Sequence, residues 1–194
     1  MTDLLGTAPP SGMNAVLELL DRAVLEVAPL LLGWRVRTEV DGEVTELELT
    51  EVEAYAGAAD PASHAYRGPT RRNRSMFEGA GTLYVYRSYG VHWCANIVTG
   101  PPGSGEAVLL RGGVPTQGAD VMIRRRGRIA PLAIGPGNLC RALAIDAGHD
   151  GTSVLRGPVL LSPGAPPPGV LATPRVGISV ATDNPWRFVA TPRT

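Results

Sequence analysis

The chain has 194 residues, enough for one domain with a substantial core, and nothing in its length calls for two. Apolar residues make up 44% and charged residues 19%, and the formal net charge is zero, so no global field draws the protein to a polyanion and any such binding must come from a local patch. Two cysteines, Cys94 and Cys140, make neither a disulfide framework nor a Cys-x-x-Cys pair, which fits a reducing cytoplasm, and the absence of lysine excludes a side-chain Schiff base.

The start, MTDLL, has neither a basic leader nor a cleavage signal, and residues 1–12 are expected to be flexible, ahead of a single domain over 13–194. Apolar spacing predicts a helix from 13 to about 33, ending at Gly33. Glu18, Asp21, Arg22 and Glu26 break its apolar run, so it is no membrane span. Strands at Trp34–Val40 and Val44–Tyr55 flank Asp41-Gly42, a strong hairpin signal. A loop rich in Gly, Pro, Ser and Arg follows over 57–81, then strands at Thr82–Tyr86, Trp93–Val98 and Ala107–Arg111. Helices are predicted over 118–126 and 137–144, short β runs over 153–161, 175–180 and 187–190, and a Pro-rich surface connection at SPGAPPPGV. The mixture predicts a single α+β domain: a curved, mostly antiparallel sheet with flanking helices and a protruding β-hairpin.

In ELELTEVEAY, Leu47 and Leu49 alternate with Glu46 and Glu48, the pattern of a strand with one buried face. Carrying that parity forward puts Glu51, Glu53 and Tyr55 on the leucine side. A buried carboxylate is costly unless paired, hydrogen-bonded or put to use in a cavity. A bulge that returns both glutamates to water, or an arginine partner such as Arg111, is the alternative.

LYVYRSYG, at Leu83 to Gly90, holds three of the five tyrosines. Tyr84 and Tyr86 share one strand face, while Tyr89 falls at or near a hairpin tip, where a ring cannot easily bury itself. All 18 basic residues are arginine, and nine form two clusters: Arg67, Arg71, Arg72, Arg74 and Arg87, then Arg124, Arg125, Arg126 and Arg128. A turn-tip tyrosine beside such a cluster has the form of a wedge that enters a base stack while arginines hold phosphates, with Tyr55 and Tyr86 placed to sandwich an extruded base. Solvated loops and plain core rings are the bland alternative. His92 and Cys94 share a strand face, but the further ligands of a zinc site are missing, so no metal is expected; dinucleotide and Walker loops are absent too, so no cofactor is expected.

The motifs EVEAYAG (51–57), SHAYRGPTRRNRSMF (63–77), GTLYVYRSYGVHWCANIV (81–98), AVLLRGGVP (107–115), GPGNLCRALAI (135–145), PRVGIS and PWRF together make the sequence resemble the alkyladenine (3-methyladenine) DNA glycosylases. The resemblance implies a monofunctional enzyme that flips alkylated or deaminated purines from duplex DNA and hydrolyses the N-glycosidic bond. It implies Glu53 as general base with Arg111 beside the water, Tyr55 on one side of the flipped base and His64 and Tyr86 on the other. Tyr89 is then the intercalating residue, Asn96 the screen against a guanine amino group, and Arg67, Arg71, Arg72, Arg74 and Arg87 the DNA-facing arginines. GPGNL departs from the pattern, with Asn138 where many relatives carry lysine, and Glu78 is an acid near the DNA-facing surface. The expected partner is double-stranded DNA with damaged purines, bound by a monomer with no membrane association. A non-catalytic binder of distorted DNA is the competing class; it needs neither Glu53 nor Arg111. A hydrolase of free nucleosides would have no use for Tyr89 or the arginine clusters.

Overall fold

The computed structural model describes residues 12–193, so the expectation for the N-terminal dozen lies, save Gly12, outside the described residues. The long first helix is in fact two. α1 (Met13–Leu20) stops at Asp21, and α2 (Val24–Leu30) starts after Ala23, whose backbone is extended. Apolar spacing runs straight through the break, which is why the sequence reads as one helix. The interruption is stabilised from far along the chain: Glu106 Oε2 accepts the otherwise orphaned Val24 N–H at 2.7 Å.

β1 (Arg35–Val40) and β2 (Glu43–Ala56) meet at Asp41-Gly42, both with positive φ (54° and 74°), as a two-residue hairpin requires. β3 (Leu83–Ser88), β4 (His92–Thr99) and β5 (Glu106–Gln117) form a meander, followed by α3 (Ala119–Arg126) and α4 (Pro136–Leu143). β6 (Val159–Ser162), β7 (Val170–Thr173) and β8 (Arg187–Ala190) close the chain. All pairings are antiparallel, in the order β3-β4-β5-β2-β1-β6, with β8 also on β2 and β7 beyond it. One edge of the long β2 serves β1 over 43–48 and β8 over 51–53, so the sheet forks there and curls.

Two β expectations are corrected. Residues 175–180 form no strand: Gly177 turns the backbone at φ 78°, and the segment lies against β2 through side chains instead. The strand falls at β7, at the end of the Pro-rich connection, while the run over 153–161 shrinks to β6 and a lone Thr82–Ser153 bridge.

The sheet divides the interior. Leu83, Val85, Ala95, Ile97, Val108 and Leu110 face α1, α2 and α4 in the main core. The alternate residues Tyr84, Val98 and Ala107 pack with Ala65 and Met76 of the 57–81 loop in a smaller second core on the opposite face. Catalytic candidates gather on that second face.

Candidate active site

Glu53 reaches the second face because β2 changes parity. Leu49 pairs with Gly113, Glu51 with Gly112 and Val52 with Leu110, so Thr50 is an extra residue on β2 and Arg111 an extra residue on β5. The first bulge moves Val52 and Ala54 onto the main-core face with Leu47 and Leu49, and turns Glu53 and Tyr55 away from it. The parity expectation for Glu53 and Tyr55 is thereby overturned. Glu53 nevertheless stays out of water, at 0% exposure.

Three donors surround its carboxylate. Oε1 accepts the Val176 N–H at 2.8 Å, Oε2 accepts the Tyr55 hydroxyl at 2.9 Å, and Arg111 Nη1 lies 3.4 Å from Oε1. Arg111 Nε also donates to Glu51 Oε1 at 2.9 Å, and Arg187 Nη1 to the same oxygen at 3.0 Å. Partial burial pushes the Glu51 carboxyl up, but its bonds to Arg111 and Arg187 outweigh this and hold it below the usual carboxylate range. Burial works against the charge of Arg111, yet Glu53 and Glu51 together raise its pKa, so the guanidinium stays firmly charged. Two carboxylates and two arginines thus form one compensated network, which answers the desolvation penalty of burying Glu53.

Tyr55 is held from behind. The Arg175 guanidinium lies 4.7 Å from the Tyr55 ring centre and 5.0 Å from that of Trp186. Arg175 is buried and bonds bidentately to buried Asp60, with Nη2 to Oδ1 at 2.9 Å, and Nη1 also donates to the Ala54 carbonyl at 3.0 Å. Burial first, then the neighbouring Glu53 charge, push the Tyr55 hydroxyl far above its ordinary value, so it acts as a donor.

A cavity of about 370 Å³ opens in front of these groups, lined among others by Tyr55, His64, Tyr86, Asn96 and Arg111. Its far wall is aromatic: His64 meets Tyr86 edge-on with ring centres 4.5 Å apart, and Tyr84 stacks on Tyr86 at 5.5 Å. His64 Nδ1 bonds the Tyr84 hydroxyl at 3.0 Å, and partial burial together with nearby Arg72 lowers its pKa, which keeps the ring neutral. Asn96 is buried, with Nδ2 donating to the Tyr84 carbonyl at 3.1 Å, so its position is fixed by the β3–β4 ladder. Tyr84, by contrast, is a core ring at 1% exposure.

Tyr89 stands at the tip of the β3–β4 hairpin, 92% exposed, with φ 49° followed by Gly90 at 69°. They are the central residues of a β-turn closed by the Val91 N–H on the Ser88 carbonyl at 3.0 Å, positions where positive φ favours Asn-Gly, so a bulky ring there is locally costly and unsupported by packing. Arg67, Arg71 and Arg74 are exposed and make no ion pair among the described residues. Arg67 and Arg72 line a second cleft of about 500 Å³ that adjoins the first at His64 and Tyr84. Arg72 donates to the Arg87 carbonyl at 3.0 Å, and Arg87 lies over Trp93. The second arginine cluster is largely structural instead: Arg124 pairs with Glu43, Arg125 bonds Thr45 and the Ala142 carbonyl, and Arg126 bonds the Leu132 carbonyl. Among the described residues no three His, Cys, Asp or Glu side chains gather as a metal site, and no helix is long and apolar enough to cross a membrane.

Sequence reasoning missed Arg175, Asp60, Trp186 and the Val176 N–H as parts of this site. PRVGIS and PWRF hinted at two of them, but nothing in their spacing announces that Arg175 finds Asp60 across 115 residues.

The family model described as Methylpurine-DNA glycosylase (MPG) matches residues 18–193. A protein of Frankia casuarinae is 49% identical over 93% of this chain and 89% of its own length; one of Methanoculleus marisnigri is 47% identical over 87% and 90%; one of Rhodopseudomonas palustris is 43% identical over 94% and 87%. Each carries the name "Putative 3-methyladenine DNA glycosylase".

Proposed function

The chain belongs to the methylpurine-DNA glycosylase family, hydrolases of N-glycosyl bonds that process alkylated purines in DNA repair, and on that premise we propose that it flips alkylated or deaminated purines out of duplex DNA and cuts their glycosidic bond to leave an abasic site. Glu53 carries the reading. A fully buried carboxylate that shares three donors with an aromatic cavity is an expensive feature, and a protein that merely bound distorted DNA would have no need of it.

In this mechanism a flipped purine enters the cavity between Tyr55 and the His64–Tyr86 pair. A water beside Arg111 is polarised by Glu53, which accepts its proton as the water attacks the sugar carbon and offsets the charge of an oxocarbenium-like transition state. Oε2, which accepts only the Tyr55 hydroxyl, keeps a lone pair for that proton. An alkylated purine carries positive charge, leaves without strong acid assistance, and is attracted by the electron-rich ring faces. Neutral His64 suits that task because it adds no repelling charge. Tyr89 fills the gap in the stack, Asn96 crowds a guanine amino group, and Arg67, Arg71, Arg72, Arg74 and Arg87 hold phosphates. With no lysine in the chain, strand cleavage through a side-chain Schiff base is not available.

Incubation with duplex DNA carrying one methylated purine or hypoxanthine should release free base, with strand breaks only after alkali. Breaks without alkali would overturn the monofunctional reading.

A further inference from the structure

Resting on the reading of Glu53 as the base, we infer that the buried Arg175–Asp60 pair is a positioning unit for the reaction, holding both neutral donors of Glu53 in place. Neither residue is among those lining the cavity: Arg175 lies behind Tyr55, with its guanidinium also over the Trp186 ring. Its neighbour in the chain supplies the Val176 N–H to Glu53 Oε1, and the ring on which it stacks supplies the hydroxyl to Oε2. Nη1 also grips the carbonyl of Ala54, the residue between Glu53 and Tyr55. One guanidinium therefore fixes three points around the base: the β2 backbone, the Tyr55 ring and the 175–177 backbone.

Asp60 anchors that guanidinium to the start of the 57–81 loop. Besides both bonds from Arg175, its carboxylate accepts the Ala62 N–H at 3.0 Å and, more weakly, the Ala56 N–H at 3.4 Å. Ala62 and His64 line the cavity, so the pair couples the floor that carries Glu53 to the wall that receives the base. The planar fork of arginine suits this role; a lysine could neither bond Asp60 bidentately nor lay a flat cationic face on the Tyr55 ring.

The test is single-turnover base release from a lesion-bearing duplex at saturating enzyme, measured beside affinity for an abasic-site duplex. Removing only one partner would strand a buried charge and threaten folding, so the main variant is the charge-balanced Arg175→Met with Asp60→Asn, accompanied by Arg175→Lys. Single-turnover rates report on bound enzyme and are insensitive to any misfolded fraction. Both variants should lose about 10- to 100-fold in rate, as small misplacements of reacting groups do, with affinity within about 2-fold of wild type. A variant that cuts at the wild-type rate overturns the inference alone, and so does one whose affinity and melting temperature fall while its rate constant holds. A wild type that releases no base removes the functional reading and this inference with it.

Discussion

Tyr89→Asn should make the protein more stable and a worse enzyme. Tyr89 occupies the left-handed region, φ 49°, where an L-residue with a bulky side chain is disfavoured by roughly 1–2 kcal/mol, whereas Asn tolerates it and Asn-Gly is the favoured pair for this turn. The ring is 92% exposed, so its removal sacrifices almost no burial. The net gain should be about 0.5–1 kcal/mol, which raises the melting temperature of a chain this size by about 1–4 °C. Function moves the other way. A ring that replaces the flipped base in the stack is worth about 1–3 kcal/mol, so duplex excision should fall by about 5- to 150-fold. Calorimetric melting together with single-turnover base release from matched duplex and single-stranded lesions reads both effects. A lower melting temperature, or equal losses on duplex and single strand, would refute the reasoning.

The ionic network at Glu51 should show as pH-dependent stability. Because its folded pKa lies below the ordinary 4.5, Glu51 stabilises the fold above that pH and loses the contribution as pH falls through the depressed value. Glu51→Gln should therefore cost about 1–2 kcal/mol at pH 7, discounted for partial solvent screening, and the gap to wild type should narrow below pH 4.5. Melting curves whose separation stays constant down to pH 3 would contradict this. The exposed arginines should govern salt dependence: each phosphate contact contributes about 0.9 to the slope of log affinity against log salt, so R67S/R71S/R74S should flatten it by roughly 2–3. An unchanged slope would take those three residues off the DNA.

Much of this architecture could be read from the sequence because local patterning and fold agree. The Asp41-Gly42 hairpin, the Tyr84–Tyr86 alternation and the strand positions of β3 to β5 follow from turn chemistry and period-2 burial. What escaped depends on contacts between distant residues. The break between α1 and α2 is stabilised by Glu106, some eighty residues on. Glu53 was expected on the leucine face of β2 and lies on the other, because the bulge at Thr50 changes the parity of the strand. A bulge leaves little trace in a single sequence; Gly112 and Gly113, opposite it, are the nearest thing to a signal. The two arginine clusters look alike as sequence, and only the positions of Glu43, Thr45 and the Ala142 carbonyl show that the second ties α3 to the sheet.

The central claim is that Glu53 activates water. Glu53→Gln preserves shape and keeps an acceptor for one of the two neutral donors, while Arg111 retains Glu51 as a partner. The measurement is release of free base from a duplex with one methylated purine or hypoxanthine, wild type beside Glu53→Gln, with binding to the same duplex recorded in parallel. The account predicts a loss of at least about 100- to 10,000-fold in base release with binding retained. Base release by Glu53→Gln at the wild-type rate would show that the base lies elsewhere.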